Sequence, residues 1–211
     1  MNINDVDDSK VPEVIELKWF FDQQEELLRK YIPIEVGHIA TTDCPVNIDS
    51  QEGQIRLKEE MWRVTEELME AYEEFMKYGN TEHFKEELID GLHFLLELLI
   101  LAGIHSAIIE RYLEGQNFKD AYNDIPKYGE LNSWYIHKPI YFLGMSGNCL
   151  KQKPWKQTHQ LTDKDKLANN LFWAFETYLM CCHHFEITPD MLFQLYFKKN
   201  AVNQFRIRSK Y

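Results

Sequence analysis

The hydrophobic residues of the chain recur with the period of an α-helix in each segment that shows a pattern. Apolar positions are spaced three and four apart from about Pro12, from Ile55, and again after Thr162 and Thr188. No segment shows the sustained alternation of apolar and polar residues that a half-buried strand requires. We therefore predict an all-α fold, built as an antiparallel helical bundle.

Proline, glycine and threonine place the boundaries of these helices. Pro33 is expected to end the first helix, because proline cannot donate the hydrogen bond that a helix interior needs. Gly79 is expected to end the second helix, which begins at about Ile55. Thr188 is followed by proline, an arrangement typical of a helix start, and we expect the last helix to begin there.

Residues 116–160 show no sustained period and mix glycine, proline and asparagine with aromatic residues. A structureless loop of this length is unusual in a compact domain. We interpret the segment as an aromatic-rich insertion with short helices, which could cover or gate a site. The whole chain, residues 1–211, is predicted to form a single domain.

The segment 86–104 is apolar on nearly all sides, which is typical of a buried helix. A narrow stripe formed by Glu86, Asp90, His93 and Glu97 interrupts it. A buried carboxylate must be paired, hydrogen-bonded or bound to a metal, because an isolated buried charge is very costly. The helix follows closely on the second one, so we expect the two to form an antiparallel hairpin around which the bundle is built.

Two pairs of carboxylates would meet across this hairpin. Glu67 and Glu70 are three residues apart on one helix, and Glu87 and Asp90 are three apart on the next, so each pair shares a face. Four carboxylates in one small volume repel one another unless a cation lies between them. Oxygen ligands without thiolates or paired histidines favour Mg²⁺ or Mn²⁺ over zinc.

Other interpretations of the polar residues remain open. Glu66 or Glu74 could replace one of the first carboxylate pair, or that acidic face could be plain solvated surface. His93 alone is typical of a hydrogen-bonded core histidine, and no second acidic-histidine motif completes a di-iron site. The run 181–184, two cysteines and two histidines, is a poor joint metal site because adjacent helical side chains diverge. On the residues alone, Gln23 and Gln24 are interpreted as two solvent-facing amides.

Composition and charge narrow the classes of function. The net charge of −11 argues against a nucleic-acid or anionic membrane surface as partner. The four cysteines form no spaced framework and no signal peptide is recognisable, so an intracellular, cytoplasmic and soluble protein is expected. The apolar run 92–104 is too short for a membrane span and contains Glu97.

Basic and amide side chains concentrate at the end of this acidic chain. Lys199, Asn203 and Arg206 follow one another at helical spacings of four and three and would present donors along one face. Such a face suits phosphate oxygens. A basic helix end that complements its own dipole is the alternative.

The two acidic motifs, EExxE at 66–70 and ExxD at 87–90, the phrase ELIDGLHFLLELLILAGI and the ending YFKKNAVNQFRIRSKY resemble the all-α nucleoside triphosphate pyrophosphatases. The branch they resemble most is that of the dimeric dUTPases, which includes phage dCTP/dUTP pyrophosphatases, with MazG-like enzymes more distant. The resemblance implies an all-α homodimer that hydrolyses dUTP, and dUDP as a second candidate, to dUMP with Mg²⁺. A dCTP or broader deoxynucleotide pyrophosphatase, and a non-enzymatic helical interaction protein, are the alternatives.

The resemblance also implies roles for individual residues. Those implied to hold the metal ions are Glu67, Glu70, Glu87 and Asp90, with Glu67 also orienting or deprotonating the attacking water. Those implied to contact the substrate are Gln24 at the edge of the base and Lys199, Asn203, Arg206 and Tyr211 at the phosphates. The chain departs from the family pattern at Leu27, where the family has an asparagine.

Overall fold

Helices build the molecule, as the periodicity predicts. The computed structural model describes residues 1–7, 9, 11–12, 15–112, 116–126, 132–153 and 160–210. These residues contain a short 3-10 helix and eight α-helices and no strand, which confirms the all-α fold class. The α-helices are α1 (Leu17–Glu35), α2 (Gln51–Tyr78), α3 (Glu82–Leu101), α4 (Ser106–Tyr112), α5 (Phe118–Asn123), α6 (Asn132–Cys149), α7 (Lys164–His184) and α8 (Pro189–Ser209).

Several helix ends follow from single residues. Gly79 ends α2 with φ 80°, a left-handed conformation that glycine adopts without strain. The side chain of Thr81 accepts a hydrogen bond from the backbone of Phe84 and starts α3, and Thr188 caps α8 in the same way. The predicted ends at Gly79 and Thr188 are therefore confirmed.

The expectation that Pro33 ends the first helix is wrong, because α1 continues through Pro33 to Glu35. Pro33 leaves the carbonyl of Arg29 without its helical donor, and Arg29 lies on the exposed side of α1, where water can replace that donor. The extra turn carries Glu35 to Arg56 and Arg63 on α2. The second helix also starts earlier than predicted, because Ser50 caps it ahead of Gln51.

The hairpin of α2 and α3 forms the centre of the bundle. Only residues 79–81 connect the two helices, which pack along each other. Leu88, Leu95, Leu96 and Leu99 of α3 are fully buried, and each stabilises the fold by roughly 1.5–3 kcal/mol relative to an exposed side chain. α1 and α8 pack on one side of α3, while α6 and α7 pack on each other and α6 also contacts α2.

The segment 116–160 contains a long helix that its sequence pattern does not reveal. α6 spans 18 residues and buries Tyr135, Ile136 and Leu143 against its neighbours. The helical period is not recognisable in the sequence because the helix contains Pro139, and Gly144 and Gly147 near its end. Among the helices that the structure describes, none combines the length and the apolar character needed to cross a bilayer.

Candidate active site

A cavity of about 260 Å³ lies between α1, α2, α3 and α8. The side chains that line it include five of the predicted site residues together with the histidine of the α3 stripe: Gln24, Glu67, Asp90, Asn203, Arg206 and His93. Three consecutive helices and the distant α8 therefore bring the predicted base, metal and phosphate contacts to one place.

Three carboxylates gather beside this cavity. The ligand oxygens of Glu67, Glu70 and Glu87 lie within 4.8 Å of one another, and among the described residues this is the group able to hold a metal ion. Glu66 is exposed and outside the group, while Glu74 accepts a hydrogen bond from Thr81. The geometry thus favours Glu67 and Glu70 as the members of the first acidic motif.

The electrostatics of the group call for a cation. Burial, and then the charges of Asp90, Glu87 and Glu70, raise the pKa of Glu67 to about 8. Burial and the charge of Asp90 also raise the pKa of Glu87. A set of oxygen donors whose negative charges destabilise one another fits a hard divalent ion such as Mg²⁺ or Mn²⁺.

Asp90 does not belong to the three-carboxylate group. Its Oδ2 lies 2.5 Å from Nζ of Lys199, and the side chains of both residues are largely buried. Burial raises the pKa of Asp90, although the ammonium of Lys199 opposes that rise. The residue expected to bind metal and the residue expected to bind phosphate are therefore paired with each other, and a cation on Asp90 would compete with Lys199.

The basic face of α8 reaches the cavity through two of its predicted residues. Asn203 and Arg206 line the cavity, and Oδ1 of Asn203 accepts a bond of 3.5 Å from Arg206. Arg206 is exposed, so its guanidinium remains accessible from solvent. Tyr211, the fourth predicted phosphate contact, lies outside the described residues.

Gln24 forms part of the cavity wall and is buried, with 2% of its surface exposed. The interpretation of this residue as a solvent-facing amide is therefore wrong. Its Oε1 accepts a hydrogen bond from the hydroxyl of Tyr196 at 2.8 Å and lies 2.8 Å from Nδ1 of His93. Its Nε2 donates to Glu97 at 3.3 Å. His93 is thus a hydrogen-bonded core histidine at Nδ1, as its isolated position predicts.

The buried carboxylate of Glu97 is paired within a network of ion pairs beside the cavity. Nη2 of Arg56 lies 3.0 Å from Glu97 and 3.1 Å from Glu35, and its Nη1 lies 2.9 Å from Glu60 without hydrogen-bond geometry. Arg63 pairs with Glu35 at 3.0 Å. Burial raises the pKa values of Glu60 and Glu97 despite these partners.

This network is not among the features predicted from the sequence, although α2 carries a signal for it. Arg56, Glu60, Arg63 and Glu67 are spaced four, three and four apart, so they form one polar stripe on the helix. That stripe runs along the face that also buries Leu57, Val64 and Leu68. Charged residues among buried positions indicate charged partners on the covering helices, and here α1 supplies Glu35 and α3 supplies Glu97.

Comparison with known proteins is consistent with this architecture. A protein-family model described as dUTPase matches residues 16–211. Neither the curated proteins nor the solved structures gave a match. Because the family match extends over nearly the whole chain and the structure is all-helical, the chain belongs to the all-α dUTPase family, as its acidic motifs and its ending indicate.

Proposed function

We propose that the protein hydrolyses dUTP to dUMP and pyrophosphate with Mg²⁺, and that it also accepts dUDP. One observation carries the proposal: a single cavity is lined by a buried amide, by residues of a basic helix face and by Glu67, a member of the three-carboxylate group. A nucleotide has matching parts, namely a base with polar edges, an anionic phosphate chain and the cations bound to it.

Glu67, Glu70 and Glu87 would hold Mg²⁺, with Asp90 as a further ligand once its pair with Lys199 opens. A divalent ion supplies charge neutralisation for the phosphates and activation of water. Glu67 belongs both to the carboxylate group and to the cavity wall, which supports it as the residue that orients or deprotonates the attacking water.

Lys199, Asn203, Arg206 and Tyr211 would bind the phosphates. An ammonium, an amide and a guanidinium on successive turns of α8 offer donors to several phosphate oxygens at once. Release of Lys199 from Asp90 would provide a mobile positive charge for the phosphate chain. Gln24, on α1, would contact the edge of the base.

The chain is further proposed to act as an intracellular homodimer. Trp62 and Met76 lie on the same side of α2 and each expose 63% of their surface, which supports a partner surface on that side of the helix. The four cysteines are free, which suits a reducing compartment. Light scattering coupled to size exclusion would report the mass of the assembly.

A nucleotide panel tests the proposal. The protein would be incubated with Mg²⁺ and dUTP, dUDP, dCTP, dTTP, dATP or dGTP, and the products separated by chromatography. We expect dUTP to be turned over fastest, with dUMP as product. Faster turnover of dCTP than of dUTP would show that cytosine, and not uracil, is the preferred base. Absence of any turnover, together with no shift in melting temperature from Mg²⁺ and a non-hydrolysable dUTP analogue, would refute the proposal that the protein is a nucleotide hydrolase.

The acidic group offers its own matched control. Glu67→Gln is expected to abolish turnover, whereas Glu66→Gln changes the neighbouring exposed glutamate and should leave turnover close to that of the unmodified protein. Equal loss in both variants would contradict the assignment of Glu67.

A further inference from the structure

The carboxamide of Gln24 is held in one orientation by three side chains. Its oxygen faces two groups, the hydroxyl of Tyr196 and Nδ1 of His93, both at 2.8 Å. Its nitrogen donates to Oε2 of Glu97. The oxygen thus uses both of its acceptor positions inside the protein, and the nitrogen uses one of its two hydrogens.

The reverse orientation of the amide is disfavoured by its surroundings. It would place the oxygen of Gln24 against the carboxylate of Glu97, whose other oxygen already accepts from Arg56 at 3.0 Å. It would also turn the amide nitrogen toward Nδ1 of His93 and the hydroxyl of Tyr196. The oxygen of Gln24 and the carboxylate oxygen of Glu97, both acceptors, would then face each other in a buried site, which is costly.

His93 is fixed as the donor in this arrangement. Its imidazole is buried, its pKa is lowered to about 3 by burial and then by the charge of Lys199, and it is therefore neutral. The ring stacks on Tyr196 with centroids 4.2 Å apart and planes 15° apart. A neutral ring carries one proton, and the contact with Oε1 of Gln24 places it on Nδ1.

The lock leaves Gln24 with a single polar group to offer a ligand, its second N–H. A donor at the wall of the cavity complements a carbonyl oxygen and meets an amino group unfavourably. Uracil carries a carbonyl at the position where cytosine carries an amino group. Leu27, one turn further along α1, also lines the cavity and contributes no second amide.

We infer that Tyr196 and His93 are positioning residues that hold Gln24 as a hydrogen-bond donor and so make the site prefer a 4-oxo pyrimidine over a 4-amino pyrimidine. This inference rests on the proposed function, because it assumes that a nucleotide base occupies the cavity. Tyr196 and His93 act through Gln24, and their effect is on the choice of base.

Tyr196→Phe tests the inference, since it removes one of the two donors that hold the oxygen and keeps the ring. The readout is kcat/KM for dUTP divided by kcat/KM for dCTP. We expect this ratio to fall about five-fold, the typical effect of one neutral hydrogen bond. Tyr178→Phe is the matched control, because it removes another buried hydroxyl, which donates to the carbonyl of Leu88 at 2.7 Å. An unchanged ratio in Tyr196→Phe would overturn the inference, as would an equal fall in both variants.

A measurement on the unliganded protein separates failure of the lock from failure of the proposed function. Nitrogen-15 NMR of the histidine side chains reports which ring nitrogen of His93 carries the proton, and the structure requires Nδ1. A proton on Nε2 would overturn the lock whatever the substrate. If Nδ1 is protonated but no pyrimidine nucleotide is turned over, the lock stands as a structural feature, and the proposed function and its base preference both fail.

Discussion

Replacement of Arg56 is expected to destabilise the protein strongly, because it leaves a buried charge without its partner. Arg56 has 1% of its surface exposed and contacts Glu35, Glu60 and Glu97. In Arg56→Leu, Glu35 keeps Arg63 at 3.0 Å and Glu60 keeps Arg63 at 3.6 Å. Glu97 keeps the neutral donor of Gln24 at 3.3 Å.

The magnitude follows from that inventory of partners. One carboxylate loses its cation, and breaking one buried pair costs about 3–5 kcal/mol. For a chain of this size, such a loss corresponds to a fall in melting temperature of about 6–20 °C. Urea unfolding followed by circular dichroism, with and without the substitution, measures the free energy of unfolding directly.

An exposed pair provides the control for this substitution. Arg29 pairs with Glu25 within α1, and the side chains of the two residues are 60% and 37% exposed. Arg29→Leu is therefore expected to cost less than about 1 kcal/mol. If Arg56→Leu costs no more than Arg29→Leu, the network does not stabilise the fold and the reasoning is refuted.

The pH dependence of the Arg56→Leu variant checks the cause of its instability. Burial raises the pKa of Glu97 in the fold, and removal of Arg56 raises it further. The folded variant then takes up a proton that the unfolded chain does not bind, so its stability increases as the pH falls. The cost of Arg56→Leu should accordingly be smaller at about pH 5 than at about pH 8. A cost that is the same at both values would indicate lost packing as the cause.

Other predictions concern the carboxylates and α8. Glu87→Gln should raise the melting temperature in EDTA, since it removes one of three mutually repelling charges. It should also abolish the rise in melting temperature that we expect Mg²⁺ to cause in the unmodified protein, measured by thermal shift. The pKa of Glu67 is about 8 against a usual 4.5, so the folded protein in EDTA should become more stable as the pH falls from about 8 toward 4.5, and saturating Mg²⁺ should flatten that slope in urea titrations. Lys199→Ala should raise KM for dUTP by about ten-fold or more through loss of one charged phosphate contact, measured by steady-state kinetics, whereas Lys198→Ala should change it little.

The sequence was sufficient for the parts of the site that depend on one helix or on neighbouring helices. Glu67, Glu70 and Glu87 could be placed together because helical spacing sets each motif and a short connection sets the hairpin. The face of α8 with Asn203 and Arg206 follows from the same spacing. Gly79 and Thr188 marked helix ends because their conformations and caps are local.

Contacts between distant helices could not be predicted in this way. The bond between Gln24 and Tyr196 joins residues 172 positions apart, and the pair of Asp90 with Lys199 also spans much of the chain. The local sequence around each of these residues does not indicate which residue is its partner. The burial of Arg56 could not be predicted either, because a charged residue on a helix is expected to face solvent unless the helix that covers it is known. The predicted helix end at Pro33 was wrong because a helix tolerates one missing backbone hydrogen bond where its backbone faces water.

The short connection between α2 and α3 gives the two halves of the site different folding costs. The carboxylate group needs the closure of a single helical hairpin, whose small loop entropy allows it to form early. The amide wall needs α1 and α8 to meet from opposite ends of the chain, which is a slow and entropically costly step. Partial unfolding that releases α1 and α8 would therefore remove the proposed contact with the base, while the three carboxylates proposed to bind a cation stay together. Under the proposed function, metal binding alone would not measure how much of this protein is native.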